Sequence, residues 1–549
     1  MSVSTVPAAP GRRWTRQPGL WAAVAVLLLH AWWLHGLAED AFISFRFARH
    51  LAQGAGLTWN LGAAPIEGYT NFLWVLVEAA LIRAGADLIR VMPLLGVVLA
   101  AITLILIYRT LVVRLGVHEW TAGFAALLLA ASGPFATWAT SGMETTLFTL
   151  LAWLAFDALV ASRPTSPLIA SAWLVLATLT RPEGVLLAAV LLGASAVLAR
   201  RHGSRVSTYL LAAACYVVPV ALYGAWRWHY FGWPLPNTFY AKTGGGLEQW
   251  MRGILLTGHF LFEFILPLVP WVFLVAWACG LPRWFSRRDD VPLVSPAMCV
   301  AAGVLALVTL YIVAVGGDYM AMHRFFVVLL PFWYVALACL IDPLVRGRET
   351  APQRQAVLLL AAWSLIATVV HSTPVDTLFF VRPSQEHGNY QGVVLERWHV
   401  ARLSVIGRYF ATSSPGQGET LGTSAIGAIG YYADMPILDF HGLVDLHIAH
   451  APVPPEFGGR RPGHERHDWP YVLDQHPTFL MFSRDLTPQP IQLDRYLPRE
   501  MTPDLRDRLD RDYEHASVWL EDPDNRESGF FTFLRRRADR PLQSLPGTR

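Results

Sequence analysis

Long apolar runs separated by short polar stretches recur along the first two thirds of the chain, from Leu20 to about Val370. Many of them have about 17 to 25 residues, the length that an α-helix needs to cross a bilayer. Since these runs follow one another closely, the pattern predicts a polytopic α-helical membrane protein. The candidate spans are residues 20–37, 121–139, 143–162, 166–180, 184–199, 207–228, 254–281, 293–315, 325–345 and 355–371.

Arginine clusters between the apolar runs orient the predicted helices, because basic residues concentrate in cytoplasmic loops. They fall in alternate connections if the first helix runs outward from a cytoplasmic N-terminal tail. Residues 70–114, which contain two apolar runs, must then cross an odd number of times, so one run is expected to be re-entrant. The pattern predicts about 11 to 13 spans. The clusters are Arg12/Arg13/Arg16, Arg109/Arg114, Arg163, Arg200/Arg201/Arg205, Arg283/Arg287/Arg288 and Arg346/Arg348/Arg354.

The composition changes at about Ser372, where Pro, Gly, Asp, Arg and His replace the long apolar runs. Short strand-like and helical pieces alternate with glycine-containing turns, which indicates a soluble mixed α/β domain. The predicted division is a cytoplasmic tail at 1–18, a membrane module at 19–371 that includes an outer loop at 39–69, and an extracytoplasmic domain at 372–549.

Composition agrees with a membrane protein, since 54% of the 549 residues are hydrophobic and only 15% are charged, against about a quarter in soluble proteins. The formal net charge of +3 is not concentrated in a basic domain, and we expect no nucleic-acid partner. The four cysteines lie in apolar runs, where a buried thiol is expected rather than a disulfide or a metal cluster. They are Cys215, Cys279, Cys299 and Cys339.

Unusual polar motifs collect at the predicted outer ends of the helices. Because ionisable groups at membrane depth are costly, such a gathering indicates a functional site. The motifs are Glu39–Asp40, Ser141–Thr146 (SGMETT), Arg181–Gly184 (RPEG), Trp226–Lys242 and Gly316–Arg324 (GGDYMAMHR).

The first outer loop contains the string DAFISFRFARHLAQG, which starts at Asp40 and places Arg46, Arg49 and His50 on one helical face. One interpretation is an amphipathic helix that lies along the interface and holds anionic headgroups above a site. The other is that Asp40 only caps the helix and the arginines meet ordinary phospholipid. The spacing leaves both open.

The strings EDAFISFRFARHLAQGAGLTWN, PIEGYTNFLW, SGMETTLF, RPEG, GGDYM and IGYYADMPILDFHGLVD resemble bacterial multi-spanning glycosyltransferases of the GT-C architecture. Within these, the likeness is to the subgroup of the mycobacterial terminal arabinofuranosyltransferase. The resemblance implies a GT-C-like membrane module that transfers a sugar, such as arabinofuranose, from a polyprenyl-monophosphate donor. It also implies a cell-envelope glycan, lipid or glycoprotein acceptor on the outer face of the bacterial inner membrane.

The resemblance further implies an acidic residue of the first outer loop near the reaction centre, and Asp40 matches that position, with Glu39 beside it. Transfer from a lipid phosphate needs a base for the acceptor hydroxyl and positive charge for the departing phosphate. We assign Asp40 as the base and Glu39 as a neighbour that tunes it. The candidates for the phosphate are Arg46, Lys242, His323 and Arg324.

Four further residues are candidates for binding the sugar or the acceptor: Glu67, Tyr69, Glu144 and Asp318. Asp318 has an alternative role as a turn residue, and Glu144 as a carboxylate at a helix start. Arg181 and Glu183 are also expected to pair within a tight turn.

No metal site is predicted, because the spacing of a histidine-rich stretch gives only weak support for ligands. A requirement for a divalent metal stays open, and no cofactor is expected. The stretch contains His441, Asp445, His447 and His450.

Two other functions compete with a glycosyltransferase. A transporter or flippase of lipid-linked sugars is expected to have related halves and polar residues at mid-membrane, whereas here the polar residues gather at one face. A catalytically inactive glycan-binding scaffold is the other, and the Glu39–Asp40 pair argues against it. The sequence therefore favours the enzyme.

Overall fold

A computed structural model of the chain describes residues 17–161, 165–201, 206–279, 296–346, 350–374, 390–413, 418–452 and 463–537. Most of the predicted N-terminal tail lies outside these ranges, as do several predicted cytoplasmic arginines. These are Arg163, Arg205, Arg283, Arg287, Arg288 and Arg348.

Six helices among the described residues are long and apolar enough to cross a membrane. A seventh span is formed if Glu119–Ala131 and Gly133–Thr140, which meet at a bend of 58°, are one broken helix. Four shorter apolar helices accompany them. The chain is therefore a multi-pass α-helical membrane protein, as predicted. The six long segments are Leu88–Arg114, Ser207–Phe231, Gly246–Ala278, Ala297–Ala314, Arg324–Arg346 and Ala351–Val370.

In chain order the helices of the membrane module are α1 (Pro18–Trp33), α2 (Ala41–Ala52), α3 (Phe72–Arg83), α4 (Leu88–Arg109), α5 (Glu119–Ala131), α6 (Gly133–Thr140), α7 (Thr145–Val160), α8 (Ser166–Thr180), α9 (Gly184–Arg201), α10 (Val206–Phe231), α11 (Asn237–Lys242), α12 (Gly246–Phe260), α13 (Pro270–Cys279), α14 (Pro296–Ala314), α15 (Leu330–Arg346) and α16 (Ala351–Val370).

The two apolar runs in residues 70–114 have different lengths. Helix α3 has 12 residues, so it is about 18 Å long and too short for about 30 Å of hydrocarbon. Helix α4 has 22 residues and continues through a π-helical turn at Thr110–Arg114. Only the second run is therefore long enough to cross.

Prolines account for the irregular spans, since proline lacks the N–H that an α-helix needs at each interior position. Pro134 follows the bend between α5 and α6. Pro267 lies in a 3₁₀ turn at Leu266–Leu268, and Pro270 starts α13. The region predicted as 254–281 is therefore one irregular span that begins at Gly246, and it does not hide a second crossing among the described residues.

The C-terminal domain contains a mixed sheet of six strands among its described residues, in the order β2-β1-β3-β6-β4 with β5 on β6. Strand β1 pairs in parallel with β2 and β3, and β6 pairs antiparallel with β3, β4 and β5. This confirms the predicted α/β character. The strands are β1 (Leu421–Thr423), β2 (Ile437–Asp439), β3 (Phe479–Met481), β4 (Leu486–Thr487), β5 (Tyr513–Asp522) and β6 (Glu527–Arg536); the helices are α17 (Tyr390–Ser413), α18 (Gly427–Ala433), α19 (Leu446–His450), α20 (Trp469–Asp474) and α21 (Pro503–Asp512).

Helix α2 lies between the membrane module and the C-terminal domain, packed against α3 on one side and α18 on the other. All residues from Ala41 to Ala48 are buried. The interpretation of α2 as a helix exposed to lipid headgroups is therefore wrong, because protein covers the face that was assigned to lipid.

Arg46 explains how a basic residue of α2 is accommodated in this buried position. Its Nε donates to the Trp59 carbonyl at 2.9 Å, and its Nη1 donates to the Gly430 carbonyl. Its Nη2 donates to Asn60 Oδ1 at 3.1 Å and to the Met435 carbonyl at 2.9 Å. Four of its five N–H groups are thus used within the protein, and the side chain is only 2% exposed. The structure leaves Arg46 unsuited to the predicted role of phosphate ligand.

We predict that Arg46→Ala loosens the C-terminal domain from α2. The substitution leaves three buried carbonyls without this donor, and unpaired buried acceptors cost about 1 to 3 kcal/mol each, so the expected loss is on the order of 3 kcal/mol or more. Protease cleavage rates of the C-terminal domain and the melting temperature measure this loss. Arg49→Ala is the matched control on the same helix. Its partner Asp434, at 3.2 Å, is 70% exposed, so less than about 1 kcal/mol is expected, and equal effects of both variants would contradict the assignment.

Candidate active site

Two carboxylates from distant parts of the chain converge on one arginine at the end of the helix bundle. Arg324 Nε donates to Asp318 Oδ2 at 2.5 Å, and Arg324 Nη1 lies 3.5 Å from Asp40 Oδ2. The side chains of Arg324 and Asp318 are each 7% exposed, and that of Asp40 is 18% exposed. The structure therefore brings together three residues that the sequence predicted for one site.

Asp40 precedes α2, but its side chain makes no capping hydrogen bond to the helix. The preceding backbone is held instead by the Ala38 N–H, which donates to the Ser141 carbonyl at 2.9 Å. The interpretation of Asp40 as a simple helix cap is thus wrong, and its carboxylate faces Arg324.

The loop that delivers Arg324 has an unusual backbone. Gly316 and Gly317 have φ of +82° and +73°, and the non-glycine residues Met322 and His323 have φ of +56° and +46°. For side chains other than glycine this region costs about 1 to 2 kcal/mol per residue, and such strain is concentrated at functional sites.

His323 is held in this conformation by a hydrogen bond to Glu263 rather than being free for a ligand. Its Nε2 lies 2.8 Å from Glu263 Oε2, and the Met322 carbonyl accepts from Trp138 Nε1 at 3.0 Å. His323 therefore positions the neighbouring Arg324, and its predicted role as a phosphate ligand is not supported by this geometry.

Glu39 connects the site to the C-terminal domain. Its Oε1 accepts from the backbone N–H groups of Gly427 at 2.6 Å and Ala428 at 3.2 Å, at the start of α18. Burial, together with the charges of Asp40 and Glu396, raises the pKa of Glu39 to about 8, against the effect of the two N–H donors. In this structure Glu39 binds the docked domain, whereas Asp40 faces the arginine.

Glu396 on α17 is a member of the site that the sequence did not suggest. Its Oε1 accepts from the Glu39 N–H at 2.8 Å, and burial raises its pKa to about 7. Tyr319, from the GGDYM motif, lies among the same carboxylates, and its pKa is raised by burial and then by Asp40 and Glu396. No local pattern marks Glu396, because its position depends on how the C-terminal domain docks.

A second arginine network lies beside the first. Arg181 binds Glu183 side-on, with Nη2–Oε1 at 2.8 Å and Nε–Oε2 at 3.3 Å, and it reaches Glu144 Oε1 at 2.5 Å. The other oxygen of Glu144 accepts from Asn71 Nδ2 at 3.0 Å. The pairing of Arg181 with Glu183 that the sequence predicted is present, and Glu144 belongs to this network.

A cleft of about 330 Å³ joins the two arginines to the membrane helices. Arg181 and Arg324 both face it, and Phe325 lies between them, with its ring 5.2 and 5.1 Å from the two guanidinium carbons. Val308, Tyr311 and Ile312 of the span α14 line its other wall, together with Thr145, Phe148, Glu183 and Val328. The cleft thus has a charged end, where Arg181, Glu183 and Arg324 lie, and an apolar wall. We call it the arginine cleft.

The remaining predicted residues lie in other surroundings. Glu67 Oε2 is 3.6 Å from Arg227 Nε, and burial raises the pKa of Glu67 to about 7. Tyr69 is buried against Phe47, with ring centroids 4.8 Å apart. Lys242 ends α11 and packs over Gly463. None of these three contacts Asp40, Asp318 or Arg324 through an ion pair or a side-chain hydrogen bond among the described residues.

Among the described residues there is no group of three or more His, Cys, Asp or Glu side chains arranged to hold a metal ion. Asp40 and Asp318 converge on the guanidinium of Arg324, which occupies the place that a cation would need between them.

Residues 388–539 match a family described as a domain of unknown function, DUF8728. The match includes α17 with Glu396 and all six strands, and it does not extend into the membrane module. Comparison with curated proteins gave no match.

Three solved membrane proteins are similar to the chain. The oligosaccharyltransferase of Archaeoglobus fulgidus has 12% identity and a TM-score of 0.42, over 78% of this chain and 65% of its own. ArnT of Cupriavidus metallidurans in the apo state has 14% identity and a TM-score of 0.45, over 77% and 84%; ArnT was also solved with undecaprenyl phosphate. The arabinofuranosyltransferase AftD from Mycobacteria has 14% identity and a TM-score of 0.47, over 96% and 42%.

The chain thus spans 65% of the length of the oligosaccharyltransferase and 42% of that of AftD. At these identities and TM-scores, the roles of individual residues have to be argued from this chain itself.

We predict that docking of the C-terminal domain weakens as the pH rises. The pKa values of Glu39 and Glu396 are raised from 4.5 to about 8 and about 7, so the folded protein binds more protons than the unfolded chain in this window. Stability then falls as the pH rises from about 4.5 to 8. Melting temperatures measured across this range should fall more steeply for the wild type than for the Glu39→Gln/Glu396→Gln double variant. The exposed Glu521→Gln variant should follow the wild type, and equal slopes for the double variant and the wild type would contradict the prediction.

Proposed function

We propose that the chain is a membrane glycosyltransferase that moves a sugar from a polyprenyl-monophosphate donor to a hydroxyl group of a cell-envelope acceptor. The reaction takes place at the outer face of the bacterial inner membrane, and the C-terminal domain is on the same side. One observation carries the proposal: the buried Arg324 contacts the carboxylate of Asp40 and also faces a cleft walled by a membrane helix.

The arginine cleft has the two surfaces that a lipid phosphate requires. Val308, Ile312 and Phe325 provide contacts for a hydrocarbon chain, and Arg324 provides charge at the same end. The Nη2 atom of Arg324 has no hydrogen-bond partner among the described residues, whereas its Nε and Nη1 are paired. A charge-assisted bond from this free amino group to a phosphate oxygen is the interaction that the proposal assigns to it.

In the proposed reaction the acceptor hydroxyl oxygen attacks the anomeric carbon of the donor sugar and forms the new glycosidic bond. The bond from the anomeric carbon to the phosphate oxygen breaks, and its electron pair leaves with the polyprenyl monophosphate. The hydroxyl proton passes to the Asp40 carboxylate. Arg324 stabilises the negative charge that develops on the phosphate, and Asp318 holds its guanidinium in place.

The donor sugar is a separate part of the proposal. The resemblance of the sequence motifs to the arabinofuranosyltransferase subgroup makes a polyprenyl-phosphate pentofuranose the first donor to test, beside a polyprenyl-phosphate hexopyranose. Comparing lipid-linked sugars and surface glycans between a deletion strain and the wild type would identify the donor that accumulates and the sugar that is lost.

Asp40→Asn is expected to abolish transfer while leaving the fold intact. The amide keeps the size of the carboxylate but cannot take up the proton, and the side chain makes no capping bond whose loss would destabilise α2. Transfer by purified protein in lipid vesicles, measured with both donors, tests this. Asp87→Asn is the matched control, because Asp87 caps α4 through a bond to the Ile89 N–H, a role that asparagine also fills.

Glu39→Gln is expected to reduce transfer less than Asp40→Asn, since the amide side chain of this variant keeps an oxygen for the two N–H groups of α18. Near wild-type turnover in Asp40→Asn would remove Asp40 as the base.

Arg324→Ala is expected to weaken binding of polyprenyl phosphate, because a lost charged hydrogen bond costs about 1.5 to 3 kcal/mol, or about tenfold to a hundredfold in affinity. Arg324→Lys keeps the charge but not the planar group, so a smaller loss is expected. Titration with a polyprenyl-phosphate analogue in detergent measures both. Arg109→Ala is a control at the other end of the bundle, where Arg109 pairs with Asp157 at 3.4 Å. Unchanged affinity in Arg324→Ala would place the phosphate elsewhere.

The alternative of a flippase is separated from the enzyme by one assay. A flippase moves the lipid-linked sugar between leaflets and leaves the sugar–phosphate bond intact, whereas the enzyme releases polyprenyl phosphate. Translocation in vesicles without any cleavage of donor would support the flippase.

A further inference from the structure

A second cavity, of about 340 Å³, lies between the membrane module and the C-terminal domain. Trp138 in its wall has its ring 5.7 Å from the guanidinium carbon of Arg324. The cavity is lined by Gly36, Leu37, Ala38, Thr137, Trp138, Ser141, Met320, Ala321, Val393, Glu396 and Arg397. We call it the interdomain cavity.

Three features connect the interdomain cavity to the reaction centre. Ala38 in its wall is two residues before Asp40, and Met320 is four residues before Arg324. Glu396, which also faces the cavity, accepts from the backbone N–H of Glu39 at 2.8 Å. A molecule in this cavity would therefore reach the site from the C-terminal domain, while the arginine cleft reaches it from the membrane.

The walls of the interdomain cavity combine apolar surface with a few polar groups. Leu37, Met320 and Val393 supply the apolar contacts. Glu396 supplies an oxygen acceptor and Arg397 a donor. Such a lining suits a neutral molecule that has both hydroxyl groups and apolar C–H faces, which describes a sugar ring.

An unpaired hydroxyl lies in the wall of the interdomain cavity. Thr137 is 8% exposed, and its Oγ1 has no hydrogen-bond partner among the described residues. A buried hydroxyl without a partner costs about 1 to 3 kcal/mol, and Thr137 is one of several such hydroxyls among the described residues. Thr137 lines the interdomain cavity, where a ligand would be within reach of this hydroxyl.

We propose that the interdomain cavity binds the sugar residue of the acceptor, with Thr137 and Glu396 hydrogen-bonded to its hydroxyl groups. The inference rests on the proposed function, because it treats the bound sugar as the group whose hydroxyl is glycosylated. Glu396 is then an acceptor-binding residue of the C-terminal domain, and Asp40 remains the base. The domain contributes directly to substrate binding instead of only covering the membrane module.

Binding of simple methyl glycosides tests the inference without requiring turnover. A panel of methyl pentofuranosides and methyl hexopyranosides is titrated into the full-length protein in detergent, and binding is followed by saturation-transfer NMR. The protein is expected to bind at least one glycoside. If none of the panel binds to the wild type, the inference is overturned.

Thr137→Val removes the hydroxyl and keeps the shape of the side chain. Since Oγ1 has no partner among the described residues, the melting temperature should stay the same or rise, while glycoside affinity should fall about two- to tenfold for one lost neutral hydrogen bond. Unchanged affinity would show that Thr137 does not contact the sugar and would overturn the inference.

Val393→Phe fills the cavity from α17 and should abolish glycoside binding. Val394→Phe is the matched control, because Val394 is the next residue on the same helix and does not line the cavity. Glu396→Gln should weaken glycoside binding, whereas the exposed Glu521→Gln should leave it unchanged. If Val393→Phe bound glycosides as well as Val394→Phe, the site would lie elsewhere.

Polyprenyl-phosphate binding separates failure of this inference from failure of the proposed function. Thr137→Val and Val393→Phe should bind the phosphate analogue as the wild type does, and loss of phosphate binding in either would contradict two separate sites. If the wild type bound no polyprenyl phosphate and transferred no sugar, the proposed function would fail. If transfer occurred but the cavity variants bound glycosides normally, only the acceptor site would fail.

Discussion

The hydrogen bonds of Arg46 are the interaction on which the rest of the structure depends. Burying a guanidinium away from water is costly unless nearly all of its N–H groups are hydrogen-bonded. The partners of Arg46 come from two separate regions of the chain, which are the outer loop at Trp59 and the C-terminal domain at Gly430 and Met435. These bonds bring α18 onto α2. The docking in turn gives Glu39 its two N–H donors and brings Glu396 beside Asp40.

The site itself consists of buried charges in alternating order. Asp318 and Asp40 flank Arg324, and Glu183 and Glu144 flank Arg181. Each arginine is less expensive to bury because its partners are close and well oriented. The strained backbone at His323 and the hydrogen bond between His323 and Glu263 fix where one of these arginines points. Fixed charges of this kind need little reorganisation when new charge develops in a reaction.

Some of this arrangement follows from the sequence and some does not. Six long spans were predictable because length and hydropathy decide whether a segment can cross a bilayer, whereas the predicted spans 20–37, 143–162, 166–180 and 184–199 fall on shorter apolar helices. Asp40, Asp318 and Arg324 were predicted for the site because ionisable groups at membrane depth are costly without a function, and the role of Asp40 followed from the family resemblance. Arg46 was misinterpreted because lipid phosphates and backbone carbonyls both accept hydrogen bonds from the basic face of a helix. Only the docked domain distinguishes them. The same long-range contact explains why Glu396 was missed, since nothing near it in the chain indicates that it faces Asp40.

The contacts of Arg46 also have a consequence for the biosynthesis of the protein. Gly430 and Met435 follow Arg46 by 384 and 389 residues, so at about 5 to 20 residues per second their synthesis follows that of α2 by roughly 20 to 80 seconds. During this time α2 has membrane helices on one side and no domain on the other. The nascent membrane module therefore has an incomplete site during this interval. A chain truncated before β2 would insert into the membrane, but its site would not be completed by the C-terminal domain. Membrane insertion and completion of the site are therefore separate steps in the biosynthesis of this protein.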